Sequence, residues 1–285
     1  MRISTDIIKR KSTLLALIAL TLFVAGYAPI FEILGKVWLE SDEYAHALLV
    51  LPIIGYMVWT QRAALVDNPV RFSSIGLLIL AVSTPLFMFA LLTQVRTVIA
   101  LSMLMTVIGT IIYLAGVGAV KVLFTPLILL AMLIPVPEQL YIQLTFPLQL
   151  KVSQISEVVI RLLGVPIFRE GNVMTIPQKT FEVVEACSGL RSMIALLTLS
   201  VIMGYFILRR PVSKMVLVAA SVPTAILVNI IRVVSMILLF HFFKLDLTEG
   251  TLHTVMGLAI FTIALLILFL LQKALELWET RSNLS

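Results

Sequence analysis

Three residues in this chain of 285 combine types suited to covalent chemistry with positions that could bring them together: Cys187, Arg232 and His253. Cys187 is the only cysteine, and Ser188 and Gly189 follow it within Phe181–Leu197, FEVVEACSGLRSMIALL. A small-residue turn that hands over to an apolar run predicts a helix with Cys187 at its N-terminus. Free backbone N–H groups and the positive end of the helix dipole favour negative charge there. A thiol so placed ionises more readily, and the thiolate is the nucleophile. Arg232 lies inside an apolar run, where a guanidinium is expensive and usually faces a polar interior or a functional site. His253 opens another run and can carry a proton near neutral pH. Each also has a plainer reading: a packed small hydrophobe for the cysteine, a snorkelling or ion-paired arginine, an interfacial histidine.

The elements that must position these residues are membrane helices. Hydrophobic residues make up 60% of the chain and charged residues 13%, with a mean hydropathy of +1.10; a soluble domain is nearer about half apolar and about a quarter charged. Apolar runs of bilayer length recur at Thr13–Ile33, Ala45–Thr60, Ile75–Leu92, Val98–Val117, Ala119–Val136, Leu190–Leu208, Val216–Phe240 and Val255–Leu271. The expectation is an all-α polytopic membrane protein with about eight transmembrane helices, residues 1–285 forming one integral-membrane domain. One cysteine excludes an intramolecular disulfide, and no zinc-type ligand cluster stands out, so neither metal nor cofactor is expected. The net charge of +6 does not point to nucleic acid, because basic residues in membrane proteins mostly set orientation.

Residues 137–186, between the fifth and sixth runs, differ in pattern. Apolar residues at 148, 152, 155, 159 and 162 alternate with Gln149, Ser153, Ser156 and Glu157. That predicts an amphipathic helix with one wet side, lying along the membrane or lining a cleft. Ile167–Arg169, Asn172–Ile176 and Phe181–Glu185 then read as short strands joined by turns at Glu170-Gly171 and Pro177-Gln178-Lys179. With eight spans, one side of the membrane holds 12 of the 21 Lys and Arg, both termini and a tight turn near Lys121 included. The positive-inside bias makes that side cytoplasmic. The 137–186 insert and Cys187 are then extracytoplasmic. The seventh run heads outward, so Arg232 falls in its outer half, ~12 Å along the axis from Phe240. Three residues far apart in sequence thereby reach one leaflet.

At this point the sequence resembles the exosortase/archaeosortase family of membrane transpeptidases. The resemblance rests on VVEACSGLRS at 183–192, NIIRV at 229–233 and the H-x-x-x-G of His253–Gly257, with further stretches at 43–52, 133–140 and 168–177. Ala47 departs from the glycine the family often has after an early histidine, so His46 is not counted as catalytic. The resemblance implies a multi-pass enzyme of the cell inner membrane. It would cleave C-terminal sorting signals, such as a Pro-Glu-Pro motif followed by a transmembrane helix and a basic tail, from exported proteins. It would then transfer them to a surface acceptor, glycan or lipid-linked, in exopolysaccharide-producing cells. It further implies that Cys187 attacks the scissile carbonyl to form a thioester, that His253 protonates the leaving amine and later deprotonates the acceptor, and that Arg232 stabilises thiolate or oxyanion. Ser188 and Gly189 could add N–H donors. Glu185 and Arg191 flank the nucleophile, and Asn229 lies about one turn from Arg232. Expected partners are the exported substrates, the acceptor and membrane lipids, with no nucleic acid.

Two other classes stay open on the residues alone. Gln94, Asn229, Arg232 and the prolines at 85, 126 and 223 are features a transport path uses, although no internal repeat or matched pair of broken helices is evident. A non-catalytic part of a surface-polymer export apparatus is the other.

Overall fold

The computed structural model describes residues 18, 20–41, 44–67, 73–182, 190–248 and 250–282, with the backbone alone for Leu190 and Arg191. The described elements are eleven helices and one small sheet. In chain order they are α1 (Leu20–Gly26), α2 (Ala28–Glu40), α3 (Ala47–Thr60), α4 (Arg62–Asp67), α5 (Ser74–Thr93), α6 (Arg96–Val122), α7 (Phe124–Met132) and α8 (Glu138–Leu162). After these come β1 (Phe168–Glu170), β2 (Val173–Ile176), β3 (Lys179–Glu182), α9 (Leu190–Ile207), α10 (Pro211–Phe243) and α11 (Gly250–Ser282).

Four described helices are long and apolar enough to cross a membrane: α5, α6, α10 and α11; α1 and α2, bent by 64° at their junction, make a fifth if taken as one span. This is a polytopic all-α membrane fold, but eight full-length spans are not what the described residues form. The run Ala119–Val136 is divided. The division falls at Leu123, beside the turn expected near Lys121, while Gly116, just before the run, leaves helical geometry inside α6 (φ 79°, ψ 172°). The helix resumes to Val122, and α7 then contributes nine residues, ~14 Å of rise. The run Ala45–Thr60 yields 14 helical residues, ~21 Å, short of a ~30 Å hydrocarbon core.

The chain forms two compact units, the first ending at Pro135 and the second starting at Val136. In the first, α5 and α6 approach so closely that a Cβ on Gly76 would stand 2.2 Å from the Tyr113 backbone nitrogen. Only glycine fits there, the close-packing device of membrane helices.

The second unit holds all three residues singled out above. Its helical part packs α9, α10 and α11 around Leu196, Leu217, Ala225, Val228, Ala264 and Leu268. Near the chain's end, Glu279 accepts the backbone N–H groups of Arg209 and Arg210, each at 2.9 Å. A carboxylate thus sits at the N-terminus of α10, where the helix dipole favours it. The sheet is antiparallel in the order β1-β2-β3. Gly171 (φ 64°) makes the first turn. The second turn has two residues, because Ile176 pairs with Lys179, so Lys179 belongs to β3 rather than to the expected three-residue turn. Met174, Ile176 and Phe181 face a second core shared with Val152 and Ile160 of α8 and Val233 and Ile237 of α10.

Helix α8 reverses the expected wet side. Thr145, Gln149, Ser153 and Ser156 are buried, whereas Leu144, Ile155, Val158 and Leu162 are exposed. The polar stripe faces protein, where Ser153 donates to the Gln149 carbonyl at 2.7 Å and small side chains allow close packing. The apolar stripe faces outward, the arrangement favoured where the surroundings are lipid.

Candidate functional site

The second unit brings Arg232 and His253 into direct contact. Arg232 projects from α10 and His253 from the first turn of α11, and the guanidinium Nη2 lies 2.8 Å from the imidazole Nε2. A guanidinium has donors only, so Nε2 accepts and carries no proton. The other ring nitrogen, Nδ1, lies 3.0 Å from the Leu247 carbonyl oxygen. A carbonyl can only accept, so Nδ1 carries the proton. These two bonds define a neutral imidazole of one tautomer with its Nε2 lone pair held by a cation.

Gly257 explains the four-residue spacing after His253. Residues four apart stack on one helix face, and a Cβ on Gly257 would stand 3.7 Å from the Arg232 Nη2 and 4.0 Å from its Cζ. The bare backbone leaves the guanidinium its room. Asn229, three residues before Arg232 and so on the same face of α10, is 3% exposed.

Leu247 belongs to the link between α10 and α11, and that link is tied to the sheet. Lys179 of β3 donates to Asp246 at 2.5 Å and to the Thr248 hydroxyl at 3.0 Å. The other Asp246 oxygen accepts the Thr248 hydroxyl at 2.6 Å and the Thr248 N–H at 3.1 Å. The Lys179 ammonium also stands 5.4 Å from the Phe181 ring centroid and 5.3 Å from that of Phe240. The Lys179 bond, followed by those from Thr248, lowers the Asp246 pKa to about 2. With Asp246 half exposed, such a pair contributes at most about 1 kcal/mol of stability. Its effect on geometry is larger, since it holds the residues on both sides of Leu247.

A second ionic cluster joins sheet to helix. Glu157 of α8 pairs with Arg161 at 2.7 Å and with Arg169 of β1 at 2.8 Å, while Arg169 donates to the Gly171 carbonyl at 2.7 Å. Between the sheet and α10, a cavity of about 20 Å³ has Phe181, Glu182, Val233, Met236 and Thr248 in its wall; it is large enough for one water. Among the described residues, no group of three His, Cys, Asp or Glu side chains could hold a metal ion.

Of the residues picked from sequence, the structure brings together Arg232 and His253, with Asn229 on the same helix face. It pairs the arginine and histidine with each other, an arrangement the sequence reading had not foreseen. Cys187, Ser188, Gly189 and Glu185 lie outside the described residues, as does the Arg191 side chain. Both ends of the connection that carries Cys187 are nevertheless defined. Phe181 and Glu182 share the small cavity with Val233 and Met236, and Met193 of α9 packs on the same core as Met256. The fold is therefore left, at Phe181 and Glu182, beside Val233, the residue after Arg232. Lys179, Asp246 and Leu247 escaped the sequence reading. Lys179 and Asp246 lie 67 residues apart, in a short strand and a polar link, and no motif spacing joins them.

The sequence profile of the transmembrane exosortase family (Exosortase_EpsH) matches residues 38–270. No curated protein and no solved structure matches the chain. The matched stretch covers well over half of the chain and contains Cys187, Arg232 and His253, so the chain belongs to the transmembrane exosortase family.

Proposed function

We propose that the protein is a membrane-embedded cysteine transpeptidase that cleaves C-terminal sorting signals from exported proteins and transfers them to a surface acceptor. The observation that carries this reading is the Arg232–His253 hydrogen bond at 2.8 Å, in a chain whose only thiol follows β3 in sequence. A cation, a neutral imidazole with its lone pair turned to that cation, and a thiol are the parts acyl transfer needs.

The chemistry runs in two halves. The Arg232 Nη2 turns from His253 to the substrate carbonyl oxygen, which frees the Nε2 lone pair. Nε2 then takes the Cys187 proton, and the thiolate attacks the scissile carbonyl carbon. The oxyanion that forms is held by the guanidinium, whose planar donors suit it. The C–N bond breaks, the amine leaves with the proton from Nε2, and a thioester remains. In the second half Nε2 takes a proton from the acceptor nucleophile, which attacks the thioester. Cys187 departs and is reprotonated. Asn229 orients the guanidinium from one turn away. Ser188, Gly189, Glu185 and Arg191 complete the surroundings of the nucleophile. No cofactor is required.

The distribution of Lys and Arg supports a multi-pass location in the cytoplasmic membrane, both termini in the cytoplasm and the site on the outer face. A substrate anchored by its own transmembrane helix then reaches the site laterally. The test is processing of a tagged exported protein carrying such a signal, in cells expressing the native chain or Cys187→Ser at equal membrane abundance. The native chain should convert precursor to product, and hydroxylamine should intercept the thioester and yield a hydroxamate. Serine at 187 should abolish both. Native-rate conversion by Cys187→Ser overturns the proposal.

A further inference from the structure

We infer that Lys179 and Asp246 are positioning residues for His253: the sheet reaches across to the α10–α11 link and fixes the carbonyl that selects the imidazole tautomer. The chain of contacts is continuous. Lys179 of β3 binds Asp246 and Thr248, the two neighbours of Leu247. Asp246 in turn accepts both the N–H and the hydroxyl of Thr248, closing a tight loop around the Leu247 peptide. The Leu247 carbonyl then accepts the Nδ1 proton of His253, and Nε2 is left facing Arg232. Leu247 itself is 7% exposed, so its side chain is anchored while its carbonyl is aimed.

Four residues, 245–248, separate Lys244, the left-handed cap that ends α10, from Glu249. Such a link has no secondary structure of its own to orient a peptide plane. Without the ionic tie the Leu247 carbonyl can rotate, and neutral histidine can then exchange its proton between the two nitrogens. A proton on Nε2 faces the Arg232 guanidinium donor to donor. The pair would separate, and the base would no longer present a lone pair to the nucleophile.

The inference rests on the transpeptidase reading for its kinetic consequence only. The structural test uses the full-length protein in nanodiscs, labelled with ¹⁵N-histidine, with the His253 signals assigned by their loss in His253→Gln. In the native protein Nδ1 should give the protonated, pyrrole-type shift and Nε2 the pyridine-type shift. Lys179→Met and Asp246→Asn should each produce a mixture of tautomers. The double exchange Lys179→Asp with Asp246→Lys restores the ion pair but offers no acceptor to the Thr248 N–H, so it should shift the mixture only part of the way back to the native pattern. In the processing assay the single variants should lose about ten- to hundredfold in kcat, the scale of a small misplacement of a catalytic group, with KM little changed. The double exchange should recover part of it. If Asp246→Asn does not accumulate, Thr248→Val removes the two hydroxyl bonds of the tie while keeping both charges. A single native tautomer in all single variants overturns the inference, as does an altered tautomer with native turnover. Failure of the native chain to process any substrate refutes the transpeptidase reading and leaves the tautomer result to be judged by itself.

Discussion

Replacing Arg232 by lysine separates a charge from a geometry. Both side chains cost similarly at membrane depth, so the variant should insert and fold as the native protein does. What changes is reach and shape. The lysine nitrogen ends about where the guanidinium carbon sits, about 1.3 Å short of Nη2. Starting from a 2.8 Å contact to the His253 Nε2, the gap opens to about 4 Å, beyond hydrogen-bond range. The planar set of donors is lost as well, so an oxyanion and the imidazole can no longer be addressed from one group. Loss of one well-placed oxyanion donor costs about 2.7–4 kcal/mol, or about a hundred- to thousandfold in rate. Arg232→Lys should therefore be nearly as inactive as Arg232→Ala. The assay is precursor-to-product conversion of a tagged substrate at matched membrane abundance, with thermal unfolding in detergent as the folding control. Near-native conversion by the lysine variant beside an inactive alanine variant would reduce Arg232 to a positive charge and refute the role assigned to its donors.

Gly257→Ala places a methyl in ordinary contact with the guanidinium, 3.7 Å from Nη2, and should keep most activity. Gly257→Val puts branches into the guanidinium's volume and should lose at least about tenfold, with the Arg232 contact displaced; equal activities for the two would refute that. Glu279→Gln keeps one acceptor for the N–H groups of Arg209 and Arg210 but turns a donor toward the other, costing about 1–3 kcal/mol, read as a lower thermal midpoint in detergent with the His253 tautomer unchanged. The Asp246 pKa is lowered from 3.8 to about 2, so its tie to Lys179 stabilises the fold fully above about pH 4 and fades as pH falls toward 2. The native and Asp246→Asn proteins should then differ in thermal midpoint at pH 7 and converge near pH 2. Convergence already at pH 5 would contradict the assigned shift.

The Arg232–His253 pair was legible in the sequence to the extent that it depended on topology. An arginine near the end of one apolar run and a histidine near the start of the next must meet when the two helices form an antiparallel hairpin. Their direct bond was not legible, because periodicity places a residue on a face and says nothing of what its terminal atoms find there. The Lys179–Asp246 tie was invisible for a related reason. It joins the start of a short strand to a link across 67 positions, and surface charges in short polar segments look alike until the fold selects partners. The division of Ala119–Val136 at Leu123 lay hidden because hydropathy averages over a window, and the backbone excursion at Gly116 inside α6 lay hidden for the same reason.

Helix α8 shows where a rule carried over from soluble proteins reverses its sign. The 3.6-residue period over 148–162 correctly gave a helix and correctly sorted Gln149, Ser153 and Ser156 onto one face. Water-based reasoning then turned that face outward, since polar groups gain hydration there. Lipid removes the gain. In hydrocarbon an outward serine or glutamine loses its hydrogen-bond partners, at a cost of several kcal/mol per unsatisfied group, while an outward leucine loses nothing. The same stripe therefore packs inward, where small side chains admit a neighbouring helix, and Ser153 donates to the Gln149 carbonyl of its own helix. Exposed Leu144, Ile155, Val158 and Leu162 then form an apolar outward surface. For the proposed site the consequence is mechanical. The inward polar stripe of α8 and the core it shares with the sheet and α10 hold β3 in place from behind, and β3 carries both the lysine that braces Leu247 and the chain that continues to Cys187.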